Sequence, residues 1–476
     1  MSLSSADLWL RNPIYRGLLD DVIENPDEDA PRLVMADWLE EYGDQVAQDR
    51  ARFIRLQVRR AQLSDYSPEA WACRSEELRL LRRHRLAWLT RLDRFVSKAT
   101  FQRGFAESLV LGVAQFVKNA DTLFRLTPVR QLQLLRLAQT KLTMPDLAAV
   151  PGLNRLRGLS LRHSNLGDER VAELLQVLPL AHLESLDLSG CNLGVRSLDR
   201  LAKLPLPRLR SLTLANNNIL DRAERVVQVV AGRPLQTLHL GFTSLDAQAI
   251  GQLAEWPGLA MLKHLNLSGI NIGARTATQF FESPYLGELD TLILSNCAIR
   301  QSGVAALARC AALKNLRVLH LESAELAAGG LENLTSGPYL NRLEDLDLTT
   351  NFLNNEQSMA SLGRWPGLAS VRSLCLDYNL FGNEGLRALL ESEHLGSLTS
   401  LRLVGTALRP GCGSLLAECP KLSQLVHLNI TYNMLKSSDI EAILESPYLK
   451  NLSELLVPPA RWTADLATRL DELRPL

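Results

Sequence analysis

One eleven-residue frame, L-x-x-L-x-L-x-x-(N/C/T/S)-x-L, recurs along this chain and restricts its fold more than any other feature. It reads LQLLRLAQTKL at 132, LRGLSLRHSNL at 156, LESLDLSGCNL at 183 and LRSLTLANNNI at 209. It continues as LQTLHLGFTSL at 235, LKHLNLSGINI at 262, LDTLILSNCAI at 289, LRVLHLESAEL at 316, LEDLDLTTNFL at 343, VRSLCLDYNLF at 371, LTSLRLVGTAL at 398 and LVHLNITYNML at 425, with a partial copy, LSELLV, at 452. The spacing is 27 residues almost throughout, with 24, 26 and 28 as exceptions. Self-similarity at such a period is the signature of stacked units rather than of one central core. The L-x-L at the centre of each copy alternates with period two, as a short strand with one buried face does. Stacked in parallel about 4.8 Å apart, twelve such strands span roughly 55–60 Å.

The ninth position turns the chain out of the strand, where a side-chain amide, thiol or hydroxyl can satisfy buried backbone groups. Asn217, Asn351, Asn379 and Asn433 stand there, as do Cys191, Cys297, Thr140, Thr243, Thr406 and Ser164. Ile270 and Ala324 depart from the pattern, and looser turns are expected at both. Between strands, DERVAELLQVL (168–178), SGVAALARCAAL (302–313) and NEGLRALLESEHL (383–395) carry apolar residues at i, i+3, i+4 and i+7, the spacing of a half-buried helix. Proline-bearing stops follow, such as ESPYL (282–286 and 445–449), SGPYL (336–340) and EWPGL (255–259). Each repeat is therefore strand, turn, helix, turn, and the expected class is α/β. The period with full helices resembles the ribonuclease-inhibitor class of leucine-rich repeats over roughly residues 105–476. That resemblance implies a curved horseshoe solenoid, with parallel strands inside and helices outside, and a concave surface that grips a protein partner.

Ahead of the repeats, Asp27 is followed by PRLVMADWLEEYGD (31–44) and RARFIRLQ (50–57). This run closely resembles the bacterial repeat-companion domain, a small all-α domain often found before repeat arrays. Asp37, beside Trp38, is expected to pair with Arg32 or Arg55 in a buried ion pair that fixes helix packing. The expected organisation is a helical companion domain at 1–63, an Arg-rich helical connector at 64–103, a capping strand and helix at 104–131, twelve repeats at 132–451, and a partial repeat with a cap at 452–476.

The formal net charge is zero, which gives no reason to expect nucleic acid or an anionic membrane as partner. Charge is unevenly placed: residues 1–49 hold three Arg against twelve Asp and Glu, and residues 50–103 hold fourteen Lys and Arg against five. The two stretches are expected to fold against one another. Seven cysteines, far apart and without a C-x-x-C, suit reduced thiols in a cytoplasmic setting. MSLSSADLWLRNP lacks a basic, apolar leader pattern, and no run of 18 apolar residues suggests a membrane span.

Function is sought at the exposed frame positions three, five and seven. One end of the strand face is basic, with Arg136, Lys141, Arg162 and His163, whereas repeats eight to ten carry Glu322, Glu325, Asp345, Asp347 and Asp377, with Phe352, Tyr378 and Tyr432 nearby. Aromatics ringed by charge have the composition of a protein-binding hot spot. The candidate partner site is thus Glu322, Asp345, Asp347, Phe352, Asp377, Tyr378 and Tyr432, with Arg136, Arg162, His239, His264 and His320 as secondary candidates. A partner with a basic surface is expected. Three carboxylates could attract a hard cation, but no turn supplies further oxygens, and no Cys/His pair has zinc-ligand spacing, so no metal is expected. No Gly-rich phosphate loop, G-x-S-x-G or H-E-x-x-H is present, and Cys73 has no His or Asp near it in sequence. The expectation is a non-enzymatic, cofactor-free interaction module. A nuclease-inhibitor-like protein and a GTPase-activator-like protein using the same surface are the alternatives.

Overall fold

A computed structural model describes residues 9–64, 67–219, 223–458 and 463–472. Most of the stretch read for a leader and the end of the C-terminal cap lie outside the described residues. The chain divides into two compact units between Asn218 and Ile219.

The first unit opens with helices α1 (Pro13–Glu24), α2 (Ala30–Tyr42), α3 (Gln45–Arg60) and α4 (Pro68–Leu89). Their starts are written locally: the Asn12 side chain accepts hydrogen bonds from the amides of Ile14 and Tyr15, and Asp44 accepts one from Ala47. Leu19, Val22, Met35, Leu39 and Ile54 are buried together with Phe105, which enters from the strand region. That strand region holds a feature the sequence reading missed. Besides the expected cap, β2 (Phe105–Gly112), there is a preceding strand, β1 (Lys98–Gln102), paired antiparallel to it. The two-residue turn between them puts Arg103 and Gly104 at φ +45° and +92°. A Cβ on Gly104 would also meet Ile54 Cγ1 at 2.2 Å, so only glycine fits. Strands β2, β3 (Gln131–Leu135), β4 (Gly158–Ser160), β5 (Ser185–Asp187) and β6 (Ser211–Thr213) then pair in parallel and in chain order.

The second unit continues the plan with β7 (Thr237–His239), β8 (His264–Asn266), β9 (Thr291–Ile293), β10 (Val318–His320), β11 (Asp345–Asp347), β12 (Ser373–Cys375), β13 (Ser400–Arg402), β14 (His427–Asn429) and β15 (Glu454–Leu456). They too pair in parallel, in chain order and in strict register. The frame leucines sit in the core: Leu346, Leu348, Leu353, Leu374 and Leu376 are all solvent-free. Serines at helix ends tie neighbouring repeats, with the hydroxyls of Ser283, Ser392 and Ser446 donating to the carbonyls of Ala254, Gly363 and Ala417.

Strand register corrects the frame of the first repeat. Leu132 pairs with Leu159, the fourth position of the next copy, so the first copy begins at Val129 and the spacing of 24 disappears. Leu137, fully buried, occupies the ninth position that Thr140 was expected to hold. In all twelve copies the eighth position then has positive φ: Arg136, His163, Gly190, Asn216, Phe242, Gly269, Asn296, Ser323, Thr350, Tyr378, Gly405 and Tyr432 lie between +51° and +67°.

The ninth-position asparagines work across repeats. Asn379 Oδ1 accepts from the amides of Asn351 and Leu353 in the preceding repeat, and its Nδ2 donates to the carbonyls of Leu348 and Leu376. Asn217, Asn351 and Asn433 repeat the arrangement. A ninth-position side chain of the following repeat, asparagine or cysteine, likewise reaches the turns at Ala324 and Ile270, where looser turns were expected. The amide of Ala324 is held by Asn351 Oδ1 at 3.1 Å, and the carbonyl of Leu267, beside Ile270, takes the Cys297 thiol at 3.1 Å.

Candidate functional site

Repeats eight to twelve of the second unit present the candidate surface, and its acidic half differs from expectation. Asp377 is buried, only 2% exposed. Its carboxylate accepts from Arg402 Nε at 3.0 Å and from the Val404 amide at 2.8 Å, and so offers no free charge to a partner. Asp345, half-buried, faces His320 Nε2 at 3.3 Å. Burial alone would push the His320 pKa down, but hydrogen bonding and attraction from Asp345, with Asp347 and Glu322 close by, outweigh it and leave the pKa above its ordinary value. Asp347 Oδ1 accepts the Thr349 amide at 2.8 Å. Asp187, Asn266 and Asn429 make the same bond at the same frame position, so this carboxylate closes a local turn. The partly exposed Glu322 makes no side-chain hydrogen bond or ion pair among the described residues.

The aromatic half is exposed, and larger than expected. Phe352 (61% exposed), Tyr378 (52%) and Tyr432 (75%) are joined by Leu380 (58%) and Met434 (74%), which the sequence reading passed over. All five lie just past the C-terminal ends of their strands. Tyr378 and Tyr432 hold the eighth frame position on either side of Gly405. A Cβ on Gly405 would meet the Tyr378 ring at 2.9 Å, so this glycine leaves room for the ring to lie over the next repeat. Phe352, Leu380, Ala407 and Met434 hold the tenth position in four successive repeats. In the eight earlier copies that position reads Ala138, Asn165, Asn192, Asn218, Ser244, Asn271, Ala298 and Glu325. The appearance of large apolar residues at three of the last four copies, where earlier copies hold polar residues or alanine, was the available signal. Four repeats place the ridge along roughly 15 Å, and its five large side chains, each more than half exposed, form an apolar patch of the kind that often serves binding.

The secondary candidates do not converge. Arg136 stands at the eighth position, not the fifth, because register gives the fifth to Gln133. Arg162 is exposed at position seven of its copy, with Nη2 3.5 Å from His163 Nε2. His239 and the exposed His264 lie on adjacent strands but are out of register, as His239 pairs with Asn266. His320 is two strands further along and is engaged with Asp345. In the first unit the Asp37–Arg55 pair forms at 2.7 Å, but on the surface rather than buried. The buried pair is Arg32 with Glu107 of β2, at 2.6 Å, and Arg32 also donates to the carbonyls of Pro26, Glu28, Gln102 and Arg103. Among the described residues, no helix is long and apolar enough to cross a membrane, and all seven cysteines are buried and unpaired.

The sequence profile of the Leucine Rich Repeat family matches residues 182–204. Leucine-rich repeat-containing protein 14 of Xenopus laevis is 28% identical over 180 residues, 34% of this chain and 35% of that protein. Human NACHT, LRR and PYD domains-containing protein 5 is 25% identical over 308 residues, 60% of this chain and 23% of that protein. The chain thus spans well under half the length of these curated relatives. Among solved structures, similarity extends to the Rad7 and Elc1 complex in yeast (TM-score 0.48, 16% identity, 95% of this chain and 96% of that one). It also extends to an internalin from Listeria monocytogenes (TM-score 0.38, 16% identity, 75% and 87%) and to a TLR13–ssRNA13 complex (TM-score 0.44, 18% identity, 75% and 53%). Repeat frame and strand register agree with the matched profile: the chain has a leucine-rich-repeat solenoid fold of α/β architecture.

Proposed function

We propose that the protein is a non-enzymatic interaction module, and that the ridge of Phe352, Leu380 and Met434 with Tyr378 and Tyr432 is where it takes a protein partner. The observation that carries this reading is the set of large apolar side chains at the tenth frame position in three of the last four repeats, Phe352, Leu380 and Met434, each more than half exposed. Interface anchors are typically aromatic and aliphatic side chains rimmed by polar groups, and Glu322, Asp345 and Asp347 supply such a rim. A basic surface on the partner would meet Glu322 first. Because Asp377 is neutralised by Arg402 and Asp345 faces His320, apolar contact leads and charge follows. We place the array in the ribonuclease-inhibitor class and the N-terminal helices in the companion-domain family on the sequence motifs quoted above. A reduced, cytoplasmic setting fits seven thiols that are each buried singly.

The test is affinity capture with the wild type, with Phe352→Ser/Leu380→Ser/Met434→Ser, and with Asp345→Ser/Asp347→Ser. Loss of the partner from the first variant and its retention by the second supports the ridge. The same partner recovered from the first variant overturns it. Capture that fails only in the acidic variant, or that is abolished by moderate salt, returns the site to the carboxylates.

A further inference from the structure

The first unit contains a half-buried cation, Arg50, with no carboxylate among the groups acting on it. Arg50 opens the RARFIRLQ segment on α3, and its Nη1 is shut off from solvent with no hydrogen-bond partner. Three aromatic rings surround the guanidinium, with Cζ 5.0 Å from the centre of the Trp88 ring, 5.2 Å from Phe101 and 5.3 Å from Phe105. Ring faces offset part of the cost of removing the charge from water but accept no hydrogen bond in the plane of the fork. Carboxylates close by are committed elsewhere: Asp49, the preceding residue, holds His84 at 2.6 Å, and Asp37 and Glu40 hold Arg55. Burial pulls the Arg50 pKa down to about 10, so the group is still a cation at neutral pH.

Beside this cation lies a cavity of about 60 Å³, lined by Arg50, Trp9, Tyr15, Trp88 and Phe105 and by the aliphatic side chains of the helical core. A buried charge normally has a partner, and removing one partner leaves a costly orphan. We propose that this cavity binds a small organic monocarboxylate, its carboxylate on the Arg50 fork and its apolar body against the tryptophan and aliphatic walls. A planar carboxylate matches the guanidinium in two parallel hydrogen bonds. A single negative charge is what one arginine can neutralise, whereas a doubly charged phosphate would bring a second charge into a lining that holds no second cation. An apolar tail suits walls that hold no other charged side chain.

The experiment titrates the full chain with acetate and propionate, whose size suits a cavity of about 60 Å³, and with acetamide and propionamide as neutral isosteres, read by tryptophan fluorescence and by thermal shift. Trp9 and Trp88 line the cavity and report directly. The acids are expected to bind about tenfold to a hundredfold more tightly than the amides, the range of a charge-assisted hydrogen bond set against a neutral one. Arg50→Met keeps the apolar stem and removes the charge; it should melt at or above the wild-type temperature while losing the preference for acids. Equal binding of acid and amide to the wild type, no response to either at millimolar concentration, or unchanged acid binding by Arg50→Met would each overturn the proposal. The wild-type comparison of acid with amide needs no variant and decides the matter even if Arg50→Met does not fold.

Discussion

Replacing Asn379 with alanine removes a carboxamide that two repeats share. Its Oδ1 accepts from the amides of Asn351 at 2.9 Å and Leu353 at 3.1 Å, and its Nδ2 donates to the carbonyls of Leu348 at 2.9 Å and Leu376 at 3.0 Å. Asn379 is solvent-free. A buried amide left without an acceptor costs about 1–3 kcal/mol, so two of them place the expected loss at about 3–5 kcal/mol. A water entering the space left by the amide would recover part of this, because the site is polar on several sides. Asn379→Asp keeps the acceptor and loses the donor, and it should restore protection of the two amides without restoring the carbonyl bonds. The chain has two units, so a single global transition is a poor readout. The informative assay is hydrogen exchange at the amides of Asn351 and Leu353, with chemical denaturation of the second unit alongside. A stability loss below about 0.5 kcal/mol, or unchanged exchange at both amides in Asn379→Ala, would refute the claim that this side chain couples the repeats.

Three further outcomes are expected. Tyr432 holds a left-handed backbone conformation at φ +56°, which costs an ordinary residue about 1 kcal/mol more than it costs asparagine or glycine; Tyr432→Asn should therefore raise stability in urea denaturation while weakening partner capture, and a destabilised variant would count against it. His320 has a raised folded pKa, so its contribution is complete below the ordinary imidazole value of 6.5 and is lost as pH rises through the folded value; the stability of the second unit should fall by this term as pH rises above 6.5, and a slope that persists unchanged in His320→Gln would refute it. Burial pushes the thiols of Cys297, Cys375 and Cys412 up to about 12, so alkylation with iodoacetamide at neutral pH should label none of them until the chain is unfolded, as mass spectrometry would show.

The period, the strand–helix alternation and the ninth-position slot were legible because each rests on local spacing that twelve copies repeat. The first copy was misread because LQLLRL satisfies the frame at Leu132 while the true start is a valine, Val129. Leu135 and Leu137 then imitate core positions three residues late. Only the pairing of Leu132 with Leu159 resolves the ambiguity. The acidic patch was misread for a different reason. The partner of Asp377 is Arg402, 25 residues away in sequence and one strand away in space, and charge along a single strand does not show what the next strand brings against it. The aromatic residues were legible as large apolar groups near the strand ends. Leu380 and Met434 were hidden because leucine and methionine are unremarkable until read down a frame column. Arg50 was quoted as part of a motif, but its isolation depends on three rings from separate segments, which spacing does not encode.

The shared asparagines also give the array a direction. Each Oδ1 reaches back to amides of the repeat before it, at frame positions nine and eleven, so a repeat's turn is completed by its successor. Removing repeats from the C-terminal side strips acceptors from the turn left at the new end, as loss of Asn433 would strip them from Thr406 and Leu408. Removal from the other side leaves the remaining turns their acceptors and bares only carbonyl-seeking donors, which water serves readily. In a solenoid whose cohesion is a sum over nearest neighbours, this asymmetry makes the C-terminal end the place where fraying begins and the end that most needs a cover.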